Sequence, residues 1–136
     1  MKEEYVSFEQ AVKLKELGFD WRTYAYYSEK DRMCRQSVSL DHNANDGGKK
    51  ELCSAPTLAL AQKWLREEKG VLVWVTPDKQ PIDDDYSDIE LTGEWWWEVD
   101  GRVREDSGDT YKSYELALSA GIDAALELLT DKLNGK

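Results

Sequence analysis

Gly93-Glu94-Trp95-Trp96-Trp97-Glu98-Val99-Asp100-Gly101-Arg102, or GEWWWEVDGR, places three of the chain's six tryptophans in consecutive positions. Aromatic and β-branched side chains favour strands, and Asp-Gly is a strong signal for a two-residue type I′ hairpin turn. The stretch therefore reads as a strand that ends at Asp100 and turns back from Arg102. Successive strand side chains point to opposite faces. Trp95, Trp97 and Val99 then share one face, expected in the core. Glu94, Trp96 and Glu98 share the other, expected toward solvent. Two readings of Trp96 follow: a ring covered by neighbouring structure, or an exposed anchor ringed by acids. In the second, a partner's Arg or Lys over the indole would add about 0.5–2 kcal/mol.

Working outward, Val71-Leu72-Val73-Trp74-Val75 is apolar at every position, as suits a central strand, and Pro77 is expected to end it. Residues 78–90 then read as a loop containing Pro81 and Asp83-Asp84-Asp85. A helix precedes, with Pro56 near its start and Gly70 just past its end. Its apolar face is Leu58, Leu60, Ala61, Trp64 and Leu65. Residues 7–17 form a first helix, because Ser7 and Gln10 have capping-box spacing and Gly18 supplies the stop. Aromatic residues 21–27 are expected to pair with residues 33–38 as a hairpin. Ser113 caps a last helix that buries Leu118, Ile122, Ala125, Leu126, Leu129 and Leu133. The order is helix, two strands, helix, three strands, helix (αββαβββα). It predicts one α+β domain over residues 1–136, with a mostly antiparallel sheet of about five strands and three helices.

The net charge of −10 is unevenly placed. Residues 1–77 carry 12 acidic and 12 basic groups; residues 78–109 carry 12 acidic groups against Lys79, Arg102 and Arg104, a balance of −9. Direct binding to nucleic acid is therefore excluded as an expectation, since phosphate contacts need clustered Lys and Arg. A basic protein surface is the electrostatically suited partner. No run of about 18 apolar residues spans a membrane, and residues 1–5 lack the apolar core of a secretory signal, so a cytoplasmic protein is expected.

Little reactive chemistry is visible. Cys34 and Cys53 stand alone in spacing, which leaves two free thiols or one disulfide. The only histidine, His42, lies in a turn-rich stretch, residues 41–50. There Asp41, Asn43 and Asn45 match the start of a calcium loop, but Asp46 replaces its glycine and Leu52 its bidentate glutamate. Asp83, Asp84 and Asp85 lack the alternating spacing of metal loops. Glu94 and Glu98 are about 13 Å apart along a strand, too far for a glycosidase pair. No nucleophile elbow, phosphate loop or dinucleotide fingerprint occurs. Catalytic residues, metal ligands and cofactors are accordingly not expected.

Ser54-Ala55-Pro56-Thr57-Leu58-Ala59-Leu60-Ala61-Gln62-Lys63-Trp64-Leu65-Arg66-Glu67 resembles the central helix of small proteins encoded by phages and prophages of gut anaerobic bacteria. Residues 7–11 with 17–20 are similar to their opening helix, and residues 111–118 with Gly121 and Ile122 to their last. The strands and the acidic loop match less well. That family has no assigned activity, so the resemblance implies a phage genome and a bacterial cytoplasm and carries over no site residues.

The expected function is a non-enzymatic accessory protein, an inhibitor or adaptor, that binds a basic protein surface through residues 78–98. Trp96, Glu94, Glu98, Asp83, Asp84 and Asp85 are its expected partner-binding residues. The alternatives are a small-ligand module with Trp96, Tyr24 and Tyr26 as an aromatic platform, and a phage structural component.

Overall fold

The computed structural model describes residues 4–36, 45, 52–82, 88–101 and 104–133. Most of the turn-rich stretch with His42, and Asp83, Asp84, Asp85 and Arg102, lie outside the described residues. The architecture is α+β, with three helices and two three-stranded antiparallel sheets among the described residues. The chain divides into two compact units, Met1–Trp64 with Leu126–Lys136, and Leu65–Ala125.

In the first unit, helix α1 (Phe8–Glu16) begins at a complete capping box. The Gln10 backbone N–H donates to the Ser7 hydroxyl at 3.2 Å, and Gln10 Oε1 accepts from the Ser7 N–H at 2.8 Å. Such reciprocal bonds satisfy two helix-end donors and explain why a glutamine is buried here. Gly18 closes the helix at a φ of 94°, a conformation that disfavours a side chain. Strands β1 (Ala25–Ser28) and β2 (Cys34–Gln36) form the expected hairpin. A further strand, β3 (Leu52–Ser54), pairs with the other side of β1. At three residues beside a turn-rich stretch, it is too short to show a period, so the sequence reading missed it. Helix α2 (Leu58–Lys69) starts at Thr57, whose Oγ1 accepts from the Leu60 N–H at 3.1 Å. The core here gathers Val6, Leu14, Phe19, Leu58, Ala61 and Trp64, with the Phe19 and Trp64 rings 5.3 Å apart.

In the second unit, β4 (Leu72–Pro81), β5 (Ile89–Asp100) and β6 (Arg104–Asp106) form a sheet in the order β4-β5-β6. Helix α3 (Tyr114–Leu133) begins at Ser113, whose Oγ accepts from the Leu116 N–H at 3.1 Å. Its buried residues in this unit are Ala117, Leu118, Gly121, Ile122 and Ala125. Gly121 is the close-approach point of helix and sheet. A Cβ there would stand 2.9 Å from Val73 Cγ1 and 3.1 Å from Trp97 Cβ.

Three expectations are corrected. In place of a single sheet of about five strands, the described residues form six strands in two sheets. The central position assigned to residues 71–75 is an edge. Pro77 does not end its strand, which continues to Pro81, so much of the expected 78–90 loop is paired strand. Pro77 is tolerated for a local reason. It stands opposite Trp95, whose N–H and C=O both bond with Tyr111, at 2.8 and 2.7 Å. In an antiparallel pair such a residue exchanges no bonds with its opposite neighbour. Pro77 therefore has no donor to lose toward β5, and edge strands are where proline is accommodated.

Candidate functional site

The alternation read in GEWWWEVDGR holds, and the two faces have different surroundings. On the first face Trp97 and Val99 are buried, as is Val73 opposite Val99. Trp95 is half-buried and meets the Tyr114 ring edge-on at 5.5 Å. This is the face that α3 covers, through Gly121 and Tyr114.

The second face departs from the solvent-facing expectation. Trp96 is half-buried. Glu94 is half-buried too, and its Oε1 accepts from the Thr110 hydroxyl. Glu98 is buried, its side chain only 11% exposed, and its Oε2 accepts from Arg104 Nη2 at 2.9 Å. Arg104 itself is 70% exposed. The expected pair of free carboxylates around an exposed indole is therefore not what forms. β6 lies beside β5 and places Arg104, opposite Asp100, diagonal to Glu98 on the same face. Trp74 stands directly opposite Glu98 and so joins this face, again half-buried.

The same hairpin has a second region that sequence reasoning passed over. Beyond Trp95 the pairing of β4 with β5 is interrupted. Between Pro77 and Lys79 lies Asp78 alone, whereas Thr92, Gly93 and Glu94 lie between Leu91 and Trp95. Gly93 has a φ of 88°, and the Thr92 hydroxyl donates to Asp78 Oδ2 at 3.0 Å while accepting from the Glu94 N–H at 3.2 Å. This bulge re-aims the strands, as bulges do. Past it, Lys79 pairs with Leu91, Gln80 with Glu90 and Pro81 with Ile89, and the Ile82 N–H donates to the Asp88 carbonyl at 2.9 Å. This distal arm carries Ile82 and Ile89 at 61% exposure and Leu91 at 63%. Asp88 and Glu90 beside them are also exposed. The signal was present in Ile89-x-Leu91, a strand alternation too short to stand out inside an acidic segment.

The first unit holds a small cleft. Tyr5, Arg22, Thr23, Tyr24, Pro56 and Leu60 line its volume of about 50 Å³. That is room for a few waters rather than a sugar ring or a base. Of the expected aromatic platform, Tyr24 and Tyr26 belong to this unit and Trp96 to the other. Among the described residues no three His, Cys, Asp or Glu side chains stand together as a metal site. No helix among them is long and apolar enough to cross a membrane.

The cysteine question has a geometric answer. Cys34 and Cys53 both stand opposite Tyr27, on the strands flanking β1. Two strand spacings put their Cα atoms about 9.5 Å apart, beyond the roughly 7 Å a disulfide spans. Both are free thiols. Burial pushes the Cys53 thiol up from its ordinary value, and partial desolvation beside Tyr27 does the same for Cys34 although that residue is exposed, which keeps both protonated and weakly nucleophilic at neutral pH. Burial, followed by the charge of Cys34, likewise raises the Tyr27 phenol.

Compared with protein-family models, curated proteins and solved structures, the chain matches none.

Proposed function

We propose that this chain is a non-enzymatic interaction protein that docks on a basic protein surface through its acidic β4–β5 hairpin, as an inhibitor or adaptor. The observation that carries this reading is the distal arm, where three large aliphatic side chains remain more than half exposed among acids. Apolar anchors within a charged rim are how protein interfaces are built. The charge selects the partner. A second copy of the chain would bring the same acids to the contact, and nucleic acid or an anionic membrane would be repelled. The phage and bacterial setting that the sequence resemblance implies makes a host or phage enzyme with a basic groove a suitable partner. Among the expected contact residues, Glu98 is already engaged by Arg104. The weight of the docking surface therefore moves from Trp96 to Ile82, Ile89 and Leu91.

The test is a pull-down from bacterial lysate with the wild-type chain beside an Ile89→Asp/Leu91→Asp variant. A partner retained by the wild type is expected to be lost from the variant. It is also expected to elute at about 1 M salt, where screening shortens to about 3 Å. Equal retention by both chains, or retention indifferent to salt, would overturn the reading.

A further inference from the structure

Two half-buried tryptophans flank a buried carboxylate on the sheet face opposite α3. Trp74 lies directly across from Glu98, and Trp96 is the next residue on β5 pointing the same way. The two tryptophans are thus diagonal neighbours, with Cα atoms about 7–8 Å apart. Glu98, between them, has a side chain only 11% exposed, yet among the described residues it accepts a single hydrogen bond, at Oε2 from Arg104. A carboxylate offers about four acceptor positions on two oxygens, and a buried one is ordinarily well supplied with donors. Its Oε1 has no donor among the described residues. The local charge points the same way. Asp106 stands opposite Glu98 and Asp100 opposite Arg104, and among the described residues Arg104 is ion-paired with Glu98 alone, Asp106 Oδ1 accepting instead from the Gly108 N–H at 3.1 Å.

We propose that this face is a second binding site, one that takes a guanidinium, the side chain of an arginine on a partner protein. The chemistry fits that group better than a compact ammonium. A guanidinium is planar, stacks on indole rings, carries a fork of donors matched to a carboxylate, and is more weakly hydrated than an ammonium. Arg104 shows that a guanidinium reaches Glu98 from the surface while remaining largely exposed. The incoming group would lie on Trp74 and Trp96 and donate to Glu98 Oε1. This inference rests on the acidic hairpin being a surface for a basic partner, but it concerns the face that Trp74 and Trp96 share rather than the distal arm.

The experiment is a titration of the full chain, labelled with ¹⁵N, followed through its tryptophan indole N–H signals. Trp74→Phe and Trp96→Phe variants assign the two signals. The probes are three capped tripeptides, Gly-Arg-Gly, Gly-Lys-Gly and Gly-citrulline-Gly, the last keeping the shape of arginine without its charge. The arginine peptide is expected to shift the Trp74 and Trp96 signals saturably. The lysine peptide is expected to bind more weakly, and the citrulline peptide about tenfold or more weakly, because charge-assisted hydrogen bonds are the stronger ones. Glu98→Gln is expected to weaken the arginine peptide by about tenfold as well. The probe series needs no variant, so the test survives if that one fails to fold. Equal shifts from arginine and citrulline or from arginine and lysine, shifts confined to other tryptophans, or no saturable shift would each overturn the proposal. The Ile89→Asp/Leu91→Asp arm variant separates the two readings, since it is expected to lose the lysate partner and keep the arginine-peptide shift.

Discussion

The two ends of the β4–β5 hairpin follow one alternating pattern and meet different fates. At the proximal end Val73, Trp97 and Val99 are buried, Val73 and Trp97 directly against α3 at Gly121. At the distal end Ile89 and Leu91 alternate in the same way and stay more than 60% exposed. The bulge at Gly93 separates them, and β6 pairs only with residues Glu98 to Asp100. Alternation therefore marks a strand without saying whether anything will cover its apolar side. Covered, such side chains are core. Uncovered and rimmed by acids, they are the part of this molecule most suited to meeting another.

That contrast is sharpest in stability. Trp97→Ala removes a buried indole and is expected to cost about 3–5 kcal/mol, read as a fall in the denaturation midpoint. A loss below about 1 kcal/mol would mean that the proximal end is not core. Gly121→Ala tests the covering itself. Its new methyl meets Val73 and Trp97 within packing distance, so something must shift. Overpacking of this kind costs about 1–3 kcal/mol, partly offset by about 1 kcal/mol of helix propensity. A net loss of up to about 2 kcal/mol is expected from the same unfolding curves. Stabilisation would show that helix and sheet give way easily.

Gly93→Ala acts at the boundary between the two ends. Nothing crowds a Cβ there, so its effect is the backbone conformation alone, at a φ of 88°. A loss of about 1–2 kcal/mol is expected, with the arm's amides exchanging faster with solvent deuterium than before. Unchanged stability would remove the argument that Gly93 holds the bulge. The smallest effect is expected at the arm. Leu91→Ala should change stability by no more than about 0.5 kcal/mol, as exposed substitutions do. A larger loss in thermal unfolding would mean that Leu91 is packed in solution and unavailable to a partner.

Much of the fold was legible because its signals are local. The capping box of Ser7 and Gln10, Gly18 and Gly70 after the first two helices, and Ser113 before the last all report on chain within a turn or so of themselves. The Trp95, Trp97 and Val99 row was legible for the same reason. The strand β3 was not, because three residues carry no measurable period. Nor was the continuation of β4 through Pro77, because a proline ordinarily breaks a ladder. Only its position at an edge, opposite a residue bonded elsewhere, makes it harmless.

The candidate site divides along the same line. Composition alone located the negative charge in residues 78–109 and set a basic partner against nucleic acid as the electrostatic expectation. It could not say that Glu98 would be buried against Arg104, that Trp74 would share a face with Trp96, or that Ile82, Ile89 and Leu91 would be left uncovered. Each of those depends on which strand lies beside which and how far a helix reaches across a sheet. Helix ends, turn chemistry and side-chain alternation are properties of neighbouring residues, and this sequence determined them by itself. Burial, ion pairing and exposure are properties of segments distant along the chain, and only their packing in three dimensions decided them.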